Sequence, residues 1–529
     1  MPKIFLDGLY VLSQNWKIIL SITAIFSVNF LFSPKAKQEV SLKILLPFFL
    51  FSLLLRLAFL RDIYAPSYFD SIEHLRIIKG IVEGWENHAF LDSLQHIVPT
   101  YYHLGFHFLA SLLTFGSRAD PVNVMLVFGQ VTLAILPIPV AILIWHETKN
   151  KYALIFTALL AGFGWYMPGF AINWGKYPAL LGILAFEITL SLAYTFSQKK
   201  HIQFAILTLG ILISTLIHTR TLIIFLITLT SWLFAKKIKN LPKNYRHSIL
   251  KIQLLGILIF GILIQTEPLL KLALEPYLEN HLLITIILIL SFFALAKFPR
   301  AFYFSLFFIL FTLASLSIPV ESVFPQLANQ TLLDRPFVEM ILYFPLSLLG
   351  GLGLAGLLKY AGIFANEKKS RKILLYIKSF LVILFIAAIG IISLKNYDFY
   401  PSDCCVLLNY DDTIAFDWMR ENLPANVRIL TAGRNLQVIP NATETNLVGT
   451  DAGVWIPQRL NREIILMPYQ LDFLSLETSK LLCQSQVDYI YVGSTNQHFN
   501  GRQLEEKRTW YQKILFLPKV QIYQFKGCN

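Results

Sequence analysis

The chain has 529 residues, of which 55% are hydrophobic, 14% aromatic and only 15% charged, where a soluble globular chain is roughly 25% charged. That composition excludes an ordinary water-soluble enzyme. The formal net charge of +13 does not point to nucleic acid either, because much of the excess Lys and Arg lies in short connections between apolar blocks, where it sets membrane topology.

Apolar runs of about 18 residues or more can cross a bilayer core of ~30 Å, and within it only a helix satisfies its own backbone when the span is not a closed barrel. Twelve such spans are predicted, at 17–33, 43–60, 121–145, 152–168, 178–196, 202–217, 221–235, 250–265, 281–296, 300–318, 337–358 and 373–394. The first is read as a span and not a cleaved leader, since Trp16–Phe32 exceeds the ~7–15 residues of a typical signal core. Lys and Arg then assign sides. Basic connections such as Lys35/Lys37/Lys43, Lys199/Lys200 and Lys236/Lys237/Lys239/Lys243/Arg246/Lys251 face the cytoplasm. The intervening ones are neutral or acidic; 61–98 holds six Asp/Glu against three Lys/Arg. This arrangement places 61–120 and the C-terminal tail outside. Segment 99–115, with Tyr101, Tyr102, His103 and His107, is expected to lie at the interface or re-enter, since a span there would invert every later loop.

The first outer loop reads Tyr68-Phe69-Asp70-Ser71-Ile72-Glu73-His74-Leu75. On a helix Asp70, Glu73 and His74 stand at i, i+3 and i+4 and project from one face, while Leu75, Ile77, Ile78 and Ile81 can rest on the membrane. A carboxylate held there could remove a proton from an attacking hydroxyl or bind a divalent cation (Mg²⁺ or Mn²⁺) that steadies a phosphate. The competing reading is a solvated acidic face. His103 and His107, four apart, could share a metal or be interfacial residues. Lys176, in Asn173-Trp174-Gly175-Lys176-Tyr177-Pro178, is a lone cation in an outer loop, suited to a phosphate or to anchoring at the interface. Arg220 sits in another outer turn. Arg335 could clasp a phosphate with two parallel hydrogen bonds or pair with Asp334 or Glu339. Glu187, inside a span, is a functional candidate by its cost alone, unless it pairs with another polar group in the bundle.

From about residue 395 the chain changes character. A helix from Asp411-Asp412-Thr413 to about Asn422, strands at Val427–Leu430, Val487–Val492 and Val520–Tyr523, and a helix near 472–485 predict a small α/β domain. All four cysteines, Cys404, Cys405, Cys483 and Cys528, fall there. They permit one or two disulfides, with three full connectivities, or free thiols; the adjacent pair Cys404 and Cys405 is not expected to bond to itself. The chain shows no internal repeat, Walker loop or glycine-rich dinucleotide turn.

This layout resembles the GT-C superfamily of membrane glycosyltransferases, which use polyprenyl-phosphate-linked sugars. The resemblance rests on the acidic loop with Asp70 and Glu73, the interfacial segment after it, cations in later outer loops and a soluble domain after the last helix. Two local stretches resemble bacterial members of that class: Trp174-Gly175-Lys176-Tyr177-Pro178, and the tail from Ala415-Phe416-Asp417-Trp418-Met419 through Asp451–Pro457 to Val487–Val492. The resemblance implies a polytopic α-helical bundle over 1–394 with its catalytic outer loop at 61–120, and a soluble extracytoplasmic α/β domain over 395–529. It further implies transfer of a sugar, with inversion, from a polyprenyl-phosphate donor to a glycan, lipid or protein acceptor at a bacterial plasma membrane. Asp70 would be the base, Glu73 or His74 would orient it or bind a metal, and Lys176, Arg220 and Arg335 would neutralise the leaving phosphate. The Trp-Trp-Asp acceptor motif of oligosaccharyltransferases is absent, which argues against asparagine glycosylation. A transporter or lipid flippase is the main alternative, although such proteins often show internal repeats; a scaffold or a polysaccharide ligase or polymerase are others.

Overall fold

The computed structural model describes residues 2–26, 35–97, 103–239, 266–320, 331–363, 371–396, 400–436 and 446–528. Among these residues seven helices are long and apolar enough to cross a membrane, or eight if the bent pair Pro268–Leu278 and His281–Lys297, which meet at 93°, is one span. They correspond to eight of the twelve predicted spans. Span 250–265 lies outside the described residues, and the helices that cover the other three, Trp16–Phe26, Lys35–Ala58 and Arg371–Asn396, are not among those counted. Tyr101, Tyr102 and the cations from Lys243 to Lys251 also lie outside the described residues.

Side chains finish many of the helix ends, as they must where water is scarce. Asp120 accepts from Val122 N at 2.7 Å, Asn150 from Tyr152 N at 2.9 Å, and Asp334 from Phe337 N at 3.1 Å. Pro121–Thr148 is buried almost throughout and forms the centre of the bundle, whereas Lys200–Ile217 is exposed along most of its length. The helix Gly105–Ser117, which overlaps the expected interfacial segment 99–115, has 13 residues, or about 20 Å, too short to cross. It packs Phe106, His107, Ala110 and Ser111 inward.

The first helix of the C-terminal sheet domain is Tyr410–Asn422. Its cap is Asn409, reciprocated by Asp412, and its first residue comes one position before the expected Asp411 start. Six strands follow: β1 (Arg428–Leu436), β2 (Asn446–Gly449), β3 (Glu463–Pro468), β4 (Tyr489–Val492), β5 (Tyr511–Phe516) and β6 (Gln521–Phe525). β1 is central, with β3 and β4 parallel to it and β2 antiparallel along Gly433–Leu436; β6 and β5 extend the sheet antiparallel beyond β4. The helix after β2 meets the helical part of the chain. Lys79 Nζ donates to Gln458 O at 2.5 Å, and Arg459 Nη2 to Tyr64 O at 2.9 Å.

The cysteines pair as Cys483–Cys528 and, against expectation, Cys404–Cys405. Two adjacent residues in an extended strand point to opposite faces, which is why self-pairing is not expected from sequence. Here the two lie in a turn, closed by Cys405 N on Ser402 O at 3.1 Å, that presents both sulfurs on one side.

Asp451, just after β2, is fully buried. Burial pushes its carboxyl up to about 8, although Gly453 N donates to it at 2.9 Å. An unfolded Asp titrates near ~3.9, so between the two values the folded domain holds the extra proton. Its contribution to stability is therefore full below about pH 4 and lost as pH rises through about 8. Asp451→Asn keeps an acceptor for Gly453 and needs no proton. It should match the parent protein near pH 4 and unfold several degrees higher at pH 9; an equal Tm difference at both pH values in thermal unfolding would refute this account.

Candidate active site

Asp70 opens the helix Asp70–Glu86. The turn before it is set by Tyr68, whose φ of +68° is left-handed, a genuine outlier for a bulky residue. Asp70, Glu73 and His74 line one cavity of about 230 Å³, as their spacing predicts. Leu75, Ile77, Ile78 and Ile81 do not rest on lipid, however; all four are buried against other protein, Ile77 and Ile81 under Trp85, Phe90 and Leu104.

Across the cavity, Lys176 Nζ pairs with Asp70 Oδ2 at 2.7 Å, both side chains about one-third exposed (36% and 27%). Lys176 is placed by the turn that ends the short helix Gly169–Trp174. That turn uses Gly175 at φ +66°, where a Cβ would meet Ser71 Oγ at 2.8 Å and Asp70 Cβ at 3.3 Å. Only glycine allows both the left-handed backbone and this approach. His74 locks the arrangement from behind. Its Nε2–H must donate to Gly175 O (3.0 Å), since a carbonyl only accepts, so neutral His74 accepts at Nδ1 from His107 Nε2 (2.9 Å). His74 thus joins the helix of Asp70 to the turn of Lys176.

On the far wall Arg220 Nη1 pairs with Asp334 Oδ2 at 2.8 Å. His103, His218 and Phe337 complete this side: the rings of His103 and His218 lie 4.6 Å apart, and His218 stacks on Phe337 at 5.0 Å. Burial is the main cause that keeps all four histidines neutral. It lowers His74 and His103 to about 4, and His107 and His218 well below the usual imidazole range.

Three expected site residues stand elsewhere. Arg335 does not line the cavity and turns back to Glu339 at 3.4 Å. His107 lies one layer behind His74. Glu187 is fully buried in the bundle, accepting from Tyr343 at 2.5 Å. Glu73 is at the cavity, but both its carboxylate oxygens accept from Arg76, from Nη2 at 2.6 Å and Nε at 2.8 Å. Among the described residues no three His, Cys, Asp or Glu side chains are grouped to hold a metal ion. The cavity residues missed as site members are His218 and Asp334. The Asp-Arg-Pro run, a helix cap followed by proline, was the available signal for Asp334; His218 carried none beyond its place beside Arg220.

Fold and site together define a mostly helical, polytopic membrane protein with an ion-paired cavity at the end of the bundle that carries a small sheet domain. Residues 34–273 match the model of DUF6541, a family of unknown function. No curated protein matches the chain. Among solved structures it is similar to the oligosaccharyltransferase of Archaeoglobus fulgidus, crystallised tethered through a disulfide bond to an acceptor peptide containing the NVT sequon. That likeness has 12% identity and a TM-score of 0.37, over 85% of this chain and 68% of that one.

Proposed function

We propose that the chain is a membrane glycosyltransferase that moves a sugar from a polyprenyl-phosphate donor to an acceptor hydroxyl on the extracytoplasmic side. The observation that carries this reading is the Asp70–Lys176 pair, which puts a carboxylate and a cation 2.7 Å apart in a cavity that also holds Arg220. In one in-line displacement the acceptor oxygen attacks the anomeric carbon, its proton passes to Asp70, and the bond to the phosphate oxygen breaks. The products are an inverted glycoside and a prenyl phosphate. Charge grows on that phosphate as the bond breaks, and Lys176 and Arg220 stand where they can stabilise it. Asp70 and Glu73 could offer a divalent cation one or two carboxylates, phosphate and water completing the shell, which is how Mg²⁺ is usually held. The boundary near residue 395 and the extracytoplasmic placement of both the cavity and the sheet domain belong to the same reading.

The deciding experiment places the purified protein in proteoliposomes with a radiolabelled polyprenyl-phosphate sugar and a mixture of glycan, lipid and peptide acceptors. Donor consumption with release of prenyl phosphate is expected. Movement of the intact donor across the bilayer without cleavage would instead favour a transporter or flippase, for which the buried Glu187–Tyr343 pair would be the first place to look.

Asp334 gives a separable prediction. Asn is as good a helix cap as Asp, so Asp334→Asn should keep the helix Arg335–Ile341 while removing the partner of Arg220. The exposed pair contributes at most about 1 kcal/mol, so the Tm should hardly move. Binding of a short-chain prenyl phosphate, measured by calorimetry, should tighten by roughly 2–5-fold, the equivalent of that pairing energy. Weaker binding would mean that Asp334 organises Arg220 instead of competing for it.

A further inference from the structure

We propose that the C-terminal sheet domain is a working part of this site: it holds Tyr68 in its left-handed conformation and thereby positions the Asp70–Lys176 pair. The inference rests on the reading of the cavity given above.

Two handles from that domain grip Tyr68. Its backbone N donates to Cys405 O at 2.9 Å, and the guanidinium of Arg434, on β1, is close enough to act electrostatically on its hydroxyl. Tyr68 in turn starts the Asp70 helix: Ser71 N donates to Tyr68 O at 3.3 Å, and the Tyr68 and Phe69 rings lie 4.1 Å apart. A left-handed bulky residue costs of order 1–3 kcal/mol and persists only where its surroundings over-determine it. The determining groups here come from more than 330 residues away in the chain.

The same segment also reaches the other member of the pair. Ser402 N donates to Asn173 Oδ1 at 2.8 Å, three residues before Lys176, and Cys405 is braced by its bond to Cys404. Segment 402–405 therefore touches the chain just ahead of Asp70 and just ahead of Lys176. Arg434 contributes through its side chain alone, so its contact with Tyr68 can be removed without touching the backbone. It is a positioning residue, acting through Tyr68.

The test uses the full-length protein in nanodiscs. Arg434→Gln should speed hydrogen exchange in the peptide spanning residues 66–75 by about tenfold and leave the β4–β6 peptides unchanged. In the transfer assay kcat should fall about tenfold with KM within twofold, and Arg434→Lys should restore much of the loss. Glycine occupies left-handed backbone readily, so in a Tyr68→Gly background the Arg434→Gln change should add nothing further. Unchanged exchange at 66–75, or faster exchange with kcat intact, overturns the proposal. If the parent protein transfers no sugar, the reading of the cavity falls, and the exchange result alone decides whether the clamp exists.

Discussion

Replacing Asp70 by Asn is expected to lower sugar transfer by about 10²- to 10⁴-fold, the range a positioned general base contributes. The protein should still fold and insert. Asp70 is partly exposed and its pair with Lys176 is half in water, where such pairs contribute roughly 0–1 kcal/mol. Because the substitution releases Lys176, the donor should bind at least as tightly as before. The signature is thus a collapse of kcat with KM unchanged or lower, which separates loss of a base from loss of a binding contact. Parent-level kcat in Asp70→Asn would end the assignment of Asp70 as the base.

Lys176→Met should show the reciprocal pattern. Removing one preorganised donor from a developing oxyanion costs about 10²–10³ in rate, and the same ammonium would hold the ground-state phosphate, so both kcat and donor KM should suffer. Lys176→Arg keeps the charge on a planar, bulkier head and should recover part of the activity. Arg220→Met is expected to raise KM in the same direction with a smaller fall in kcat, since Asp334 already holds that cation. A Lys176→Met enzyme with parental KM would mean that the phosphate lies elsewhere.

The parts of the site that could be read in the sequence are those governed by local periodicity. The i, i+3, i+4 spacing of Asp70, Glu73 and His74 places all three on one cavity wall, and a lone lysine in a short loop does meet Asp70. Which partner each group takes is set by contacts across 33 to 106 residues. Spacing therefore could not say that His74 turns inward to His107 and Gly175, whereas Arg335 takes the local pairing with Glu339 that the sequence already offered. Leu75 and Ile78 have the pattern of a membrane-resting face, yet apolar periodicity does not distinguish lipid from protein as the cover.

In the sheet domain β1, β4, β6 and both main helices were legible, and β2, β3 and β5 were not. β2 has only four residues and ends in glycine. β5 carries an irregularity between Lys513 and Leu515 that breaks its alternation. β3 reads as an apolar run ending in proline, with nothing local to mark it as a partner of β1. The Cys404–Cys405 bond depends on a turn that is held by Asn173, far away in sequence, and on a side-chain direction no spacing rule contains.

The close seat of Gly175 against Ser71, fastened by His74, has a consequence for tempo. With the backbone of residue 175 fixed, Lys176 can leave one oxygen for another only by turning about its own side-chain bonds. Such rotations take picoseconds to nanoseconds, whereas loop rearrangements take nanoseconds to microseconds. Handing the ammonium from carboxylate to phosphate would then be nearly instantaneous on the scale of turnover, and the slow step would belong to the chemistry or to the passage of the lipid tail through the bundle.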